Sequence, residues 1–213
     1  MCGRFALHHP TDEIHEHYAI QHALFLHTPR YNIAPTQMIA VVSPERKLGP
    51  MAWGLIPRWS KDGRPFINAR AETITEKPAF RSNLKSRRVL VPCSGFHEWK
   101  REGKSKLPVH IRLKTGDLFA MAGVWEPGNP HTVAIITVAA NSAIAEVHER
   151  MPAILAREEE EAWLDRRNAE PERLLRTRPA EDFELFPISP RVNGVTEDDS
   201  GILEPWSGSG AAT

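Results

Sequence analysis

Cysteine stands second in this chain, in Met1-Cys2-Gly3-Arg4-Phe5. An initiator methionine is normally removed when the next side chain is small, so the expected mature chain begins with Cys2. That residue then carries a free α-amine and a thiol separated by two carbons. Their ordinary pKa values, about 7.7–8.0 and about 8.5, leave both partly nucleophilic at neutral pH. The amine can condense with an aldehyde to a Schiff base, and the thiol can close on the same carbon to a five-membered thiazolidine. Holding both nucleophiles on one residue makes the second step intramolecular and removes most of its entropic cost. Gly3 lets backbone approach a substrate, and Arg4 sets a fixed positive charge beside it. A chain that keeps Met1 has no free amine on Cys2 and would precede activation. The competing reading is a Cys in an inert chain end.

Four other stretches carry chemistry. Phe66-Ile67-Asn68-Ala69-Arg70-Ala71-Glu72-Thr73 puts an amide, a guanidinium and a carboxylate within five residues, a density more typical of a site than of a connecting loop. Glu98 lies between His97 and Trp99; in an aromatic pocket its pKa would rise, and it could exchange protons near neutral pH. His148 precedes Glu149-Arg150-Met151-Pro152, where a lone His is also compatible with a structural role. Trp59, between Arg58 and Lys61, has the form of a stacking platform for unpaired bases. His8, His9, His15, His17, His22 and His27 crowd the N-terminal region, but no Cys or carboxylate set completes a ligand spacing, so they read as solvated helix histidines rather than metal ligands.

The elements that must position these groups follow from pattern. Thr11 reads as the cap of a helix with Asp12 and Glu13 in its first turn. Arg30 to Gln37 reads as a loop held by Pro35. Met38 to Val42, Met51 to Pro57, Arg88 to Pro92, Pro108 to Leu113, Leu118 to Val124 and Thr132 to Ala139 read as strands, the last three alternating as antiparallel sheet does. Thr75, Glu76 and Pro78 predict a helix running to about Arg88. Asn141 starts a short helix, Arg157 to Asp165 an acidic one around Trp163, and Pro171 another; Arg191 to Val195 is a late strand or turn. Cys93 and Trp53 read as core. The predicted class is α+β: one domain over residues 1–206 with a curved, mostly antiparallel sheet or barrel-like core and peripheral helices. The Gly-, Ser- and Ala-rich tail, 207–213, is expected to be disordered.

At 213 residues the chain can bury a proper core. No apolar run approaches the roughly 18 residues a membrane span needs, no signal-peptide pattern opens the sequence, and two cysteines make no disulfide framework. A reducing cytoplasmic setting fits. Net charge is zero, yet it is unevenly spread: Arg58 to Lys114 holds 15 Lys or Arg against 5 acids, and Asn141 onward 16 acids against 8 Arg and no Lys. A basic middle third is the footprint expected of a phosphate-backbone partner, although solvated faces give the same count.

Six blocks in order resemble the SOS response-associated peptidase (SRAP) family: the first five residues, Tyr31–Gln37, Trp53–Pro57, Asn68–Thr73, Pro92–Trp99 and His148–Pro152. The resemblance implies a protein that traps abasic sites in single-stranded DNA by a thiazolidine crosslink through the N-terminal Cys, protects the lesion in the DNA damage response, and removes its own initiator Met. It implies Cys2 as the crosslinking residue, Asn68 orienting its amine, Glu98 shuttling protons, and His148 assisting ring opening or reversal, with Arg4 and Arg70 on phosphates and Trp99 lining the pocket. Arg58, Trp59 and Arg81 are added as DNA contacts from charge and stacking. His97 stands where the family usually has Tyr, and Asn193 to Glu197 is a looser match. A cytoplasmic monomer, nucleoid-associated if bacterial, with no cofactor is expected. Two other classes remain open: a hydrolase with an N-terminal cysteine nucleophile, and a non-covalent single-strand binding module whose affinity falls steeply with salt.

Overall fold

The structure is a computed structural model that describes residues 2–207; from residue 208 on, the expected disordered tail lies outside the described residues. Among the described residues fourteen strands run in chain order: β1 Phe5–Leu7, β2 His22–Ala23, β3 Arg30–Ile33, β4 Met38–Val42, β5 Lys47–Trp53, β6 Asn68–Arg70, β7 Arg88–Cys93, β8 Gly95–Glu102, β9 Ser105–Leu113, β10 Phe119–Glu126, β11 Thr132–Ala139, β12 Arg150–Pro152, β13 Ile154–Leu155 and β14 Phe183–Pro187. Among the described residues four α-helices lie at the periphery: α1 Thr11–His17, α2 Arg81–Ser86, α3 Ser142–Ala145 and α4 Glu160–Leu164. The fold is α+β with a mostly antiparallel barrel-like core, as the alternation predicts.

Strands β5, β4, β7, β10 and β11 form successive pairs, and a parallel contact between β11 and β5, Thr132 opposite Ala52 and Val133 opposite Trp53, closes them into a ring. A second sheet, β14-β9-β8-β1-β3, wraps one side. The two share one core, with Phe5 edge-on to Trp53 at 5.3 Å between ring centroids. Every residue of β7 is buried, which explains why Val89 to Val91 reads as a continuous apolar run rather than an alternating one. Pro92 is tolerated there because β4 reaches β7 only at Leu90, so at Pro92 the strand has one partner, Ala120.

Several local expectations are corrected. The helix predicted from Thr75 is only α2, preceded by turns over 74–80; Pro78 disfavours helical backbone at Lys77. Pro10, not Thr11, occupies the cap of α1, and the Thr11 hydroxyl instead donates to the His27 carbonyl. Arg30 to Ile33 is strand, not loop, because β1 offers it an edge. Gly54 at φ 140° ends β5 before Pro57. The segment Asn68–Arg70 and the end of the His148 block, Arg150–Pro152, are both strands, each gripping β11. Arg191 to Asn193 lies in a 3-10 turn, Pro190–Asn193.

Arg88 is the largest buried charge. Its guanidinium donates to the carbonyls of Leu84, Lys85, Trp163 and Asp165, capping the ends of α2 and α4 at once. Replacing it with alanine orphans those carbonyls in a closed space. Arg88→Ala is expected to cost about 3 kcal/mol or more in urea unfolding, and Arg88→Lys to recover little, since one ammonium cannot span four acceptors.

Candidate functional site

Pairing between β1 and β8, Phe5 opposite Phe96, is prolonged by a bond from the His97 N–H to the Arg4 carbonyl at 2.9 Å. It carries the N-terminus along β8 toward Glu98. Cys2 ends up fully buried. Its carbonyl accepts from Asn68 Nδ2 at 2.8 Å. Burial raises the Cys2 thiol pKa, the Glu98 charge raises it further, and the Arg4 N–H pulls it back; the sulfur is therefore held as a thiol.

Asn68 reaches Cys2 because β6 lies parallel to β11, Asn68 opposite Ile135. Strand alternation turns Ala69 inward and sets Asn68 and Arg70 on the same face. With its Nδ2 on the Cys2 carbonyl, the Asn68 Oδ1 is buried without a hydrogen-bond partner among the described residues. A buried acceptor without a donor beside Cys2 has room for an N–H there.

Glu98 is buried in β8, and burial pushes its carboxyl up to about 7. A carboxyl in that range can give and take protons near neutrality. His148 follows α3. Its Nδ1 accepts from the Arg150 N–H at 3.0 Å, which leaves the proton on Nε2, and partial burial lowers its pKa. Arg150 is in turn locked by a two-pronged pair with Glu72 at 2.6 and 2.9 Å and by the Thr137 carbonyl at 2.6 Å. Glu72, part of the site-dense segment, thus holds the His148 loop against β6 and β11.

The expected DNA contacts divide. Arg4 is part-buried: one nitrogen donates to Asn32 Oδ1 and the Val192 carbonyl, both at 2.7 Å, and its guanidinium lies 5.7 Å from the Trp99 ring centroid. Trp99 Nε1 donates to Asn193 Oδ1 at 2.7 Å. Arg70 is exposed beside Asn68. Trp59, 63% exposed, lines a groove of about 530 Å³ with Arg64, Phe66 and Asn68. Arg58 lies against Glu126 and the Pro127 carbonyl, each at 3.5 Å, and Arg81 lines a different depression with Lys85, Arg166 and Arg167; neither borders the Asn68 groove. Sequence reasoning missed Phe66, whose partial exposure beside Trp59 needs the fold to be seen. It also missed Asn32, which donates to three carbonyls, of Val192, Gly194 and Glu197.

The family model for SOS response associated peptidase (SRAP) matches residues 1–195. The chain belongs to the SRAP family. It is 41% identical over 222 residues to the abasic site processing protein YoqW of Bacillus subtilis, covering 96% of this chain and 99% of that one. It is 34% identical to the abasic site processing protein HMCES of Gallus gallus, covering 76% of this chain and 59% of that one. A crystal structure of a Bacteroides thetaiotaomicron protein superposes with a TM-score of 0.87 at 27% identity, covering 96% of this chain and all of that one.

In this SRAP chain, His97, the departure from the usual Tyr, faces away from Glu98 by strand alternation. Its Nε2 contacts the Tyr31 carbonyl at 3.0 Å and its Nδ1 the Nδ1 of His110 at 3.0 Å. Burial lowers the His97 pKa to about 4 and drives that of His110 well below its usual value. Both are neutral when folded and protonate near 6.5 when unfolded, so the unfolded chain binds more protons below that pH. Stability should be greatest above pH ~6.5 and fall by on the order of 1–3 kcal/mol as pH drops toward about 4. Urea midpoints measured across that range should slope for the parent and flatten for His97→Phe/His110→Phe.

Proposed function

We propose that this protein recognises abasic sites in single-stranded DNA and joins them to Cys2 as a thiazolidine once residue 1 is removed. The observation that carries the reading is the placement of one residue by two groups: Asn68 holds the Cys2 carbonyl at 2.8 Å, and Glu98, poised near 7, bears on its thiol. The names of relatives along the whole chain support the substrate. The exposed Trp59 and Phe66 beside Asn68 give unpaired bases a stacking surface.

The atoms balance with one acid. The Cys2 amine adds to the ring-opened sugar aldehyde. Protonated Glu98 gives its proton to the carbinolamine hydroxyl, which leaves as water, and an iminium remains. The Glu98 carboxylate then takes the thiol proton as sulfur bonds to the iminium carbon, closing the ring and restoring the acid. His148 keeps Nε2–H to hydrogen-bond the sugar oxygen as the furanose opens, and Arg70 is free to hold a phosphate. Release of Met1 would draw on the same Glu98, with the Cys2 amide as the bond cut.

Protein mixed with uracil-glycosylase-treated single-stranded oligonucleotide should form a heat-stable adduct whose mass is that of the Met1-free chain plus the strand minus one water. Cys2→Ala should give none, and Cys2→Ser only an imine that heat reverses. An adduct that survives in Cys2→Ala would sink the mechanism. Glu98→Gln should slow the reaction by about 10²–10⁴-fold and remove the bend near pH 7 in its rate profile.

A further inference from the structure

Beyond Glu98 and Val109 the two strands β8 and β9 lose their outer neighbours. β1 pairs β8 only at Gly95 and Phe96, and β14 pairs β9 only over Val109–Leu113. Residues 99–107 therefore continue as a two-stranded ribbon standing off the barrel, with Arg101 to Lys106 all exposed. At the tip, Gly103 adopts φ 62° and a Cβ there would meet nothing within 4 Å. The ribbon holds Lys100, Arg101, Lys104 and Lys106 against a single acid, Glu102. Among the described residues none of these cations forms an ion pair.

Register makes the arrangement costly for the protein alone. Arg101 lies directly opposite Lys106, on the face that also carries Trp99 and its partner Pro108. Like charges directly opposed destabilise a sheet. Glu102 does not relieve them, since it pairs with Ser105 and alternates to the other face with Lys100. The ribbon's root is the site itself, Glu98 and Trp99. A run of anions beside the site would turn that repulsion into binding.

We propose that the ribbon 99–107 is a phosphate clamp, in which Arg101, Lys104 and Lys106 grip the phosphodiester backbone of the DNA flanking the abasic nucleotide. The proposal rests on the crosslinking reading above and adds a partner surface to it. It separates two tasks: the buried site does the bond-making, and the ribbon supplies affinity and the salt dependence that backbone contacts bring.

The test uses the Met1-free protein and R101S/K104S/K106S, each with three abasic substrates: a trinucleotide, a 21-mer single strand, and the 21-mer with one flank annealed to its complement. On the single-stranded 21-mer the variant should react about tenfold more slowly at limiting protein. The slope of log affinity against log salt should become shallower by about 2, near 0.7 for each phosphate no longer neutralised. On the trinucleotide the two proteins should match, which shows an intact site, and R101K/K104R/K106R should restore the 21-mer rate. Loss confined to the annealed substrate assigns the clamp to a duplex flank; loss on both assigns it to the single strand. Rates and salt slopes unchanged on both the single-stranded and the annealed 21-mer overturn the proposal, as does an equal loss on the trinucleotide. If the parent forms no adduct with any abasic strand, the crosslinking reading fails by itself, and the clamp is judged by the salt slope of plain 21-mer binding.

Discussion

Strand β11 is hydrogen-bonded along both edges, and the site depends on that. On one side it pairs antiparallel with β10 and β12; on the other it pairs parallel with β5 and then β6. The first parallel contact closes the barrel. The second brings Asn68 alongside, aimed at Cys2, and sets Arg70 opposite Thr137, whose other neighbour is Pro152. Arg150 then reaches across to Glu72 and fixes the loop that carries His148. Three blocks far apart in the chain are thereby held by one strand. Parallel pairing needs long connections, so this contact joins residues 67 positions apart at its first registered pair, Ile135 with Asn68.

Burial supplies the chemistry that this scaffold positions. The Cys2 thiol, the Glu98 carboxyl and the His97 imidazole are all pushed toward their neutral forms by loss of water. For Glu98 that displacement leaves a carboxyl near 7, the range in which a side chain can both give and take a proton. For His97 it is structural, since two neutral rings chained to the Tyr31 carbonyl fill the space behind β8. Gly95 belongs to the same packing: a Cβ there would lie 2.4 Å from the His110 ring. The same physical term thus has opposite meanings on the two faces of one strand.

The C-terminal residues have an anchoring role close to the site. Asn32 ties Arg4 to the carbonyls of Val192, Gly194 and Glu197, and the Asp198 carboxylate receives the N–H groups of Tyr31 and Asn32 at 2.6 and 2.8 Å. Asn193 fixes the Trp99 indole. Arg4 and Trp99, which sequence suggests as direct ligand contacts, are held in place by this segment, which extends past the part of the chain that the family model covers.

The chain's own order of residues determined the class of fold, the buried strand around Leu90 and the core placement of Trp53 and Cys93. These are legible because burial patterns are local. Tertiary structure decided which face each group occupies. Glu72 is a brace rather than a reactant, His97 points away from Glu98 while its neighbour points in, and Arg58 and Arg81 stand apart from the groove that Trp59 and Phe66 share with Asn68. Short strands such as Asn68–Arg70 carry too few residues to show a period, and only the free edge of a distant strand makes them strands at all.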